Sequence, residues 1–186
     1  VVYNADDAMW REITGGAAGA DRIGFSVGTP ADFSAWNVEP YRARTTLGIA
    51  FDCIRGGWTT RVTLRTPGEF SVHNALSAIA AASVYGVSVE RAAAVLAKTS
   101  VQGRFEIVEG LSDRTFIHDY AHNALSLSSA LTVLRAYHPT RLICLFGSVG
   151  GRTQGRRAEL GSVASAMADL CIVTSDNPDY EPPEEI

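Results

Sequence analysis

Lysine is almost absent from this 186-residue chain: Lys98 is the only one, at the end of a helical stretch, so the chain contains no phosphate loop of the Gly-Lys-Ser/Thr type. Cysteine is scarce too. Cys53, Cys144 and Cys171 lie inside apolar runs without CxxC spacing, which argues against a zinc or dithiol centre and for buried thiols in a reducing cytoplasm. No apolar run approaches the roughly 20 residues of a membrane span, and the start lacks the basic-then-apolar pattern of a signal peptide. A cytoplasmic protein without membrane insertion is the expectation. With 16 Lys and Arg against 20 Asp and Glu the net charge is -4, and no basic run gathers phosphate backbones, so nucleic acid is not an expected partner. What is present is apolar material, 46% of residues against 19% charged, enough for one globular domain or two small ones. The opening Val1-Val2-Tyr3-Asn4 strand and the acidic helical turn beginning at Glu184 suggest a piece of a larger protein.

The patterning changes along the chain. After the opening strand, Ala8 to Ala18 forms a short helix before Gly15, Gly16 and Gly19 interrupt it. Segments 22–27, 36–42, 46–54 and 59–64, rich in Val, Ile, Thr and aromatics and separated by Gly and Pro, predict an antiparallel meander. Asn74 to Tyr85 then has helical period, and Ser88 caps a second helix bearing Val89, Ala92, Ala93 and Leu96. From Phe116 the pattern alternates: strand 116–119, helix 126–137, strand 142–146, helix 157–167, strand 170–174. That order predicts βαβ units with parallel strands.

Ligands of such sheets gather at the carboxyl ends of strands. Three of those ends are polar here: Asp119-Tyr120-Ala121-His122-Asn123, Gly147-Ser148-Val149-Gly150-Gly151-Arg152 and Ser175-Asp176-Asn177-Pro178. Taken singly, Asp119 can be a turn cap, His122 a surface histidine and the glycine pair a flexible connection. The glycine stretch has neither the dinucleotide fingerprint nor a Walker lysine. Arg104, preceded by Gly103, suits an anion, or an ion pair with Glu106. His73-Asn74 at a helix start can be a plain cap.

In their order, Asn4-Ala5-Asp6-Asp7, His73-Asn74-Ala75-Leu76, Gly103-Arg104-Phe105-Glu106, Asp119-Tyr120-Ala121-His122, Gly147 to Arg157 and Asp176-Asn177-Pro178 resemble the Mur ligases. Within them the match is to the MurE branch, which adds the third peptide residue to UDP-N-acetylmuramoyl-L-alanyl-D-glutamate. The resemblance implies an α/β chain of two lobes. Residues 1–105 would be the end of the central ATPase domain, with antiparallel strands plus helices; residues 106–186 would open a Rossmann-like C-terminal domain with parallel strands. It implies ATP and Mg2+, with the magnesium ligands, the phosphate loop and a carbamoylated lysine upstream. A catalytic and ATP-binding role falls to Arg104, on the phosphates. Asn74 would meet adenine and Asp119 the ribose, with His122 nearby. Arg152, Asp176 and Asn177 would bind the incoming amino acid.

The branch that adds diaminopimelate typically reads Asp-Asn-Pro-Arg in the last motif, its arginine engaging the distal carboxylate. Here that position is Asp179, and Asp179-Tyr180-Glu181 with Asn123 looks more like the lysine-adding branch. Charge complementarity therefore leans to L-lysine. The alternatives are the diaminopimelate-adding enzyme, another Mur-type ligase such as folylpolyglutamate synthase, and a noncatalytic module that binds nucleotide or amino acid.

Overall fold

A computed structural model of the chain describes residues 1–17, 19–43, 46–108, 113–151 and 154–186. By packing, it divides into two compact units, Val1–His118 and Asp119–Ile186.

In the first unit, β1 (Val2–Asn4) leads into α1 (Trp10–Gly15), which is anchored to the strand by stacking of Trp10 on Tyr3 with ring centroids 4.6 Å apart. Next come β2 (Ile23–Val27), β3 (Phe33–Ala43), β4 (Thr46–Arg55) and β5 (Trp58–Leu64), in a five-stranded sheet ordered β1-β2-β3-β4-β5. The antiparallel expectation holds for β3-β4 and β4-β5. It fails for β2-β3, which pair in parallel, Phe25 with Phe33 and Val27 with Ala35; the opening strand β1 is parallel to β2 as well. The chain turns back between β2 and β3 in five residues. Gly28, at φ 76°, donates its N–H to Ala35, and Asp32 accepts the Gly24 N–H at 2.8 Å, so a carboxylate occupies a place a neighbouring strand would fill. This return relies on side-chain chemistry that strand propensity does not register.

Ile49, Phe51 and Cys53 alternate along β4 and are buried with Val62 and Leu64 of β5. Onto them packs α2 (Glu69–Val84), through Val72, Ala75, Leu76, Ile79 and Ala80, a stripe of helical period. This helix begins one and a half turns earlier than Asn74. Gly68, at φ 92°, ends the Thr66-Pro67-Gly68 turn, and the buried Ser71 hydroxyl donates to the Pro67 carbonyl at 2.9 Å. Asn74 therefore lies inside the helix, and its reading as an N-cap is corrected. Ser88 does cap α3 (Val89–Leu96), accepting the Arg91 N–H. The unit ends in a hairpin of β6 (Glu106–Val108) and β7 (Phe116–His118). Expected in a parallel sheet, β7 instead pairs antiparallel with β6; a parallel pairing needs a crossover of about a dozen residues or more, and only seven separate Val108 from Phe116. The hairpin separates the sequence-based boundary at 105/106 from the packing boundary at 118/119.

The second unit follows the βαβ order: α4 (Ala124–Arg135), β8 (Ile143–Phe146), α5 (Gly155–Met167), β9 (Leu170–Val173) and a short 3-10 turn at Pro183–Glu185. Strands β8 and β9 are parallel, Cys144 facing Cys171, and Leu127, Leu131, Leu142, Leu160 and Ala164 form the core with Cys144. Arg135 fastens the far end. Its guanidinium caps the Met167 carbonyl at the end of α5 and grips the Asp169 carboxylate, which also accepts the Leu142 N–H at 2.6 Å. The loops at the opposite, carboxyl ends of β8 and β9 are thus carried on a braced pair of strands.

Candidate functional site

In the first unit the Asn4 to Asp7 turn and helix α2 meet. The Asn4 side chain accepts the Asp6 N–H at 3.0 Å, shaping the turn. Asp6 then accepts the Val27 N–H at 2.7 Å and faces His73 Nε2 at 3.3 Å, while His73 Nδ1 faces the Glu69 carbonyl at 3.2 Å. One carboxylate so ties the end of β2 to α2. Asn74, the next residue, is exposed.

Arg104 is exposed on a tight turn in which its N–H donates to the Val101 carbonyl at 3.1 Å. Gly103, at φ 69°, makes that turn, and its N–H donates to Glu106 Oε2 at 2.8 Å. Phe105 is also left-handed, at φ 46°, and is buried against Phe70 with ring centroids 5.5 Å apart. The Gly-Arg-Phe-Glu stretch is therefore a fixed mount: glycine for the turn, phenylalanine for the anchor, glutamate for the brace.

In the second unit, Asp119 Oδ2 accepts the Ala121 N–H at 3.1 Å, so the turn-capping reading of Asp119 is realised. His122 is exposed, its ring tilted against that of Tyr120 with centroids 5.2 Å apart. Its Nδ1 lies 3.1 Å from the Tyr120 carbonyl, an atom that can only accept, so Nδ1 carries the hydrogen in that bond. Asn123 forms a capping box with Ser126 at the start of α4. Its place in the sequence is accounted for by helix capping, which withdraws it from the argument about the amino acid.

The loops after β8 and β9 interlock. Gly147 lies so close to the Thr174 carbonyl and the Asp176 backbone that a Cβ would sit 2.6 Å from the former. Gly150 donates its N–H to the Asn177 carbonyl at 2.9 Å, and its own Cβ would collide with Pro178. Gly151, at φ 64°, donates to Glu181 Oε1 at 2.7 Å. These glycines are not a slack connection: Gly147 and Gly150 permit two backbones to touch, and Gly151 leaves room for the Asp179 side chain. On that contact Asp176 and Asn177 are exposed, with Asp176 Oδ1 accepting the Asn177 N–H at 2.8 Å. Arg152 lies outside the described residues.

Sequence reasoning did not single out two residues that hold this junction. Arg157 reaches from the first turn of α5 to both oxygens of Glu181, at 2.8 and 2.7 Å. The Glu181 carboxyl is held below the ordinary carboxylate range, chiefly by that guanidinium and then by the Gly151 N–H. Opposite charges 24 residues apart gave no periodic signal, and Glu181 read as one more acid near the substrate.

A profile described as "Mur ligase, glutamate ligase domain" matches residues 103–186. The UDP-N-acetylmuramoyl-L-alanyl-D-glutamate--2,6-diaminopimelate ligase 1 of Clostridium acetobutylicum is 35% identical over 188 residues, taking in 100% of this chain and 38% of that protein. The chain belongs to the Mur ligase family. A UDP-N-acetylmuramoyl-L-alanyl-D-glutamate--L-lysine ligase of Enterococcus faecalis is also 35% identical, over 187 residues, covering 100% of this chain and 32% of its own length. A solved UDP-N-acetylmuramoyl-L-alanyl-D-glutamate--2,6-diaminopimelate ligase superposes with a TM-score of 0.69 at 28% identity, across 100% of this chain and 38% of that one. The chain thus spans between 32% and 38% of the length of these Mur ligases. Among the described residues no helix is long and apolar enough to cross a membrane.

Proposed function

We propose that this chain serves an ATP-dependent amide ligase of peptidoglycan precursor synthesis, which adds the third amino acid to UDP-N-acetylmuramoyl-L-alanyl-D-glutamate in the cytoplasm. Residues 1–105 are the latter part of its central ATP-binding domain and 106–186 the start of its amino-acid domain. The observation that carries this reading is the junction of the Gly147–Gly151 and Ser175–Glu181 loops within a chain 35% identical to ligases of that reaction. ATP phosphorylates the substrate carboxylate; the amine of the amino acid attacks the acyl phosphate, expelling phosphate and forming the amide, with ADP as the second product.

Each residue has a task suited to its chemistry. Asn74 meets adenine, Asp119 the ribose with His122 beside it, and Arg104 neutralises charge on the phosphates, where positioning and electrostatics are most of catalysis. Asp176 pairs with the ammonium of the incoming amino acid, Asn177 hydrogen-bonds it, and Arg152 takes its carboxylate in a bidentate fork. Mg2+ belongs to this chemistry in the family. Among the described residues no group of three or more His, Cys, Asp or Glu side chains is arranged to hold a metal ion, so no step is derived through one.

The amino acid is L-lysine in this reading. Asp179 stands where the diaminopimelate-adding branch carries arginine, and a carboxylate there favours a distal ammonium over a distal carboxylate. The test is ADP release by the intact protein given the UDP-linked dipeptide with L-lysine, with meso-diaminopimelate, or with neither. Lysine-dependent release that falls on the order of 100-fold in Arg104→Ala is expected. Preference for diaminopimelate overturns the lysine assignment, and release undiminished in Arg104→Ala removes that residue from the phosphates.

A further inference from the structure

We infer that Glu181 is a positioning residue, which through Arg157 and the Gly151 N–H sets the place of Asp176 and Asn177 against the Gly147–Gly151 loop. This inference rests on the ligase reading for its functional consequence, though the latch itself does not.

The loop from Ser175 to Glu181 has few means of holding its shape. Its internal bonds are short-range: Asp176 Oδ1 to the Asn177 N–H, Asn177 Oδ1 to the Asp179 N–H at 3.3 Å, and the Pro178 carbonyl to the Glu181 N–H at 3.0 Å. Asp179 sits at φ 53°, a conformation a non-glycine residue adopts at a cost and keeps only when its surroundings enforce it. Such bonds shape a turn without fixing where the turn lies. Among the described residues two hydrogen-bonded contacts fix it: Gly150 N–H to the Asn177 carbonyl, and the Glu181 carboxylate, which binds Gly151 and the Arg157 guanidinium together.

The second contact is the stronger. It is charge-assisted and has three hydrogen bonds of 2.7 to 2.8 Å, and the two side chains are only 13% and 26% exposed. It joins three elements: the β8 loop, the helix α5 and the β9 loop. The guanidinium is kept there although its buried Nε has no hydrogen-bond partner among the described residues, an arrangement that favours position over local satisfaction. Because Glu181 is so engaged, it is not a carboxylate offered to a ligand. Of the three acids in this loop, Asp176 and Asp179 are the exposed ones.

The experiment compares the intact protein with Glu181→Ala, Glu181→Gln and Arg157→Lys. Amide hydrogen exchange at Gly150, Gly151 and 175–181 reads the latch without reference to activity. Steady-state ADP release reads KM for the amino acid and KM for ATP separately. In Glu181→Ala the Gly151 amide exchanges faster while α4 and α5 keep their protection. KM for the amino acid rises at least about tenfold with little change in KM for ATP, because a small misplacement of a binding group is costly. Glu181→Gln, which retains an acceptor for Gly151, recovers part of both effects, as does Arg157→Lys relative to loss of the pair. Unchanged exchange at Gly151, an unchanged amino-acid KM, or equal loss in both KM values with general loss of protection each overturn the positioning role. If the unaltered protein releases no ADP with either diamino acid, the ligase reading fails and the functional half of this inference with it. Exchange at Gly151 then still decides whether the latch exists.

Discussion

Burial is the largest influence on how the thiols behave. Cys53 is 1% exposed in the sheet core, and desolvation of the thiolate pushes its pKa up to about 11; Cys144 is raised for the same reason, with the Cys171 thiol adding to it. Both are therefore thiols at neutral pH and shielded from reagents. Titration of the folded protein with a disulfide reagent near pH 7.5 is expected to label Cys171 alone on a timescale of minutes, with all three labelled after denaturation. Fast labelling of Cys53 would show that the sheet core opens. The same scale shows polar residues with a local task. Asn123 and Asp119 each accept a backbone N–H within three residues, that of Ser126 and that of Ala121. A polar side chain after a strand serves the turn first, and a single sequence does not separate the two uses.

At the level of elements, the caps carry measurable weight. The Asn123–Ser126 box holds the first turn of α4, and Asn123→Ala is expected to cost about 1 kcal/mol in denaturant unfolding of the second unit, with Asn123→Ser costing much less. At the other end of that unit, Asp169 is held below the ordinary carboxylate range, first by the Arg135 guanidinium and then by the Leu142 N–H. A depressed folded-state pKa means that the unfolded chain binds the proton more readily. The stabilisation is complete above the ordinary aspartate range and is lost as pH falls through the lowered value. Asp169→Asn should flatten the acid limb of a stability-against-pH curve, leaving a smaller difference from the parent at low pH than at neutral pH; parallel curves would exclude Asp169 as a source of acid sensitivity. Most element identities were legible in the sequence because the apolar period switches plainly from 2 to 3.6 and back; β6, only three residues long, was not. The β2–β3 direction was not, since it depends on Asp32 and Gly28 acting as partners for backbone groups. Nor was the start of α2, where the buried Val72 continues the stripe ahead of the expected cap.

For the whole molecule, the decisive fact is that each unit has an apolar core of its own, around Phe51 and Leu76 in one and Leu131 and Leu160 in the other. Phe51→Ala, at a fully buried position, is expected to destabilise the first unit by about 3–5 kcal/mol. Amide exchange within α4 and α5 should be unaltered; acceleration there to the same degree would show that the two cores unfold as one. The candidate site was legible as a set of strand ends and motifs. The interlocking of its loops was not, since the Gly150-Gly151 pair reads from sequence as a flexible connection and is in fact clearance.

The short parallel return from β2 to β3 also bears on how the chain reaches this state. Phe25 and Phe33 are register partners only eight positions apart, whereas Val2 must find Ile23 across 21. Bringing nearby residues together forfeits less chain entropy, so the inner strands can associate early and offer an edge on which the N-terminal strand later assembles.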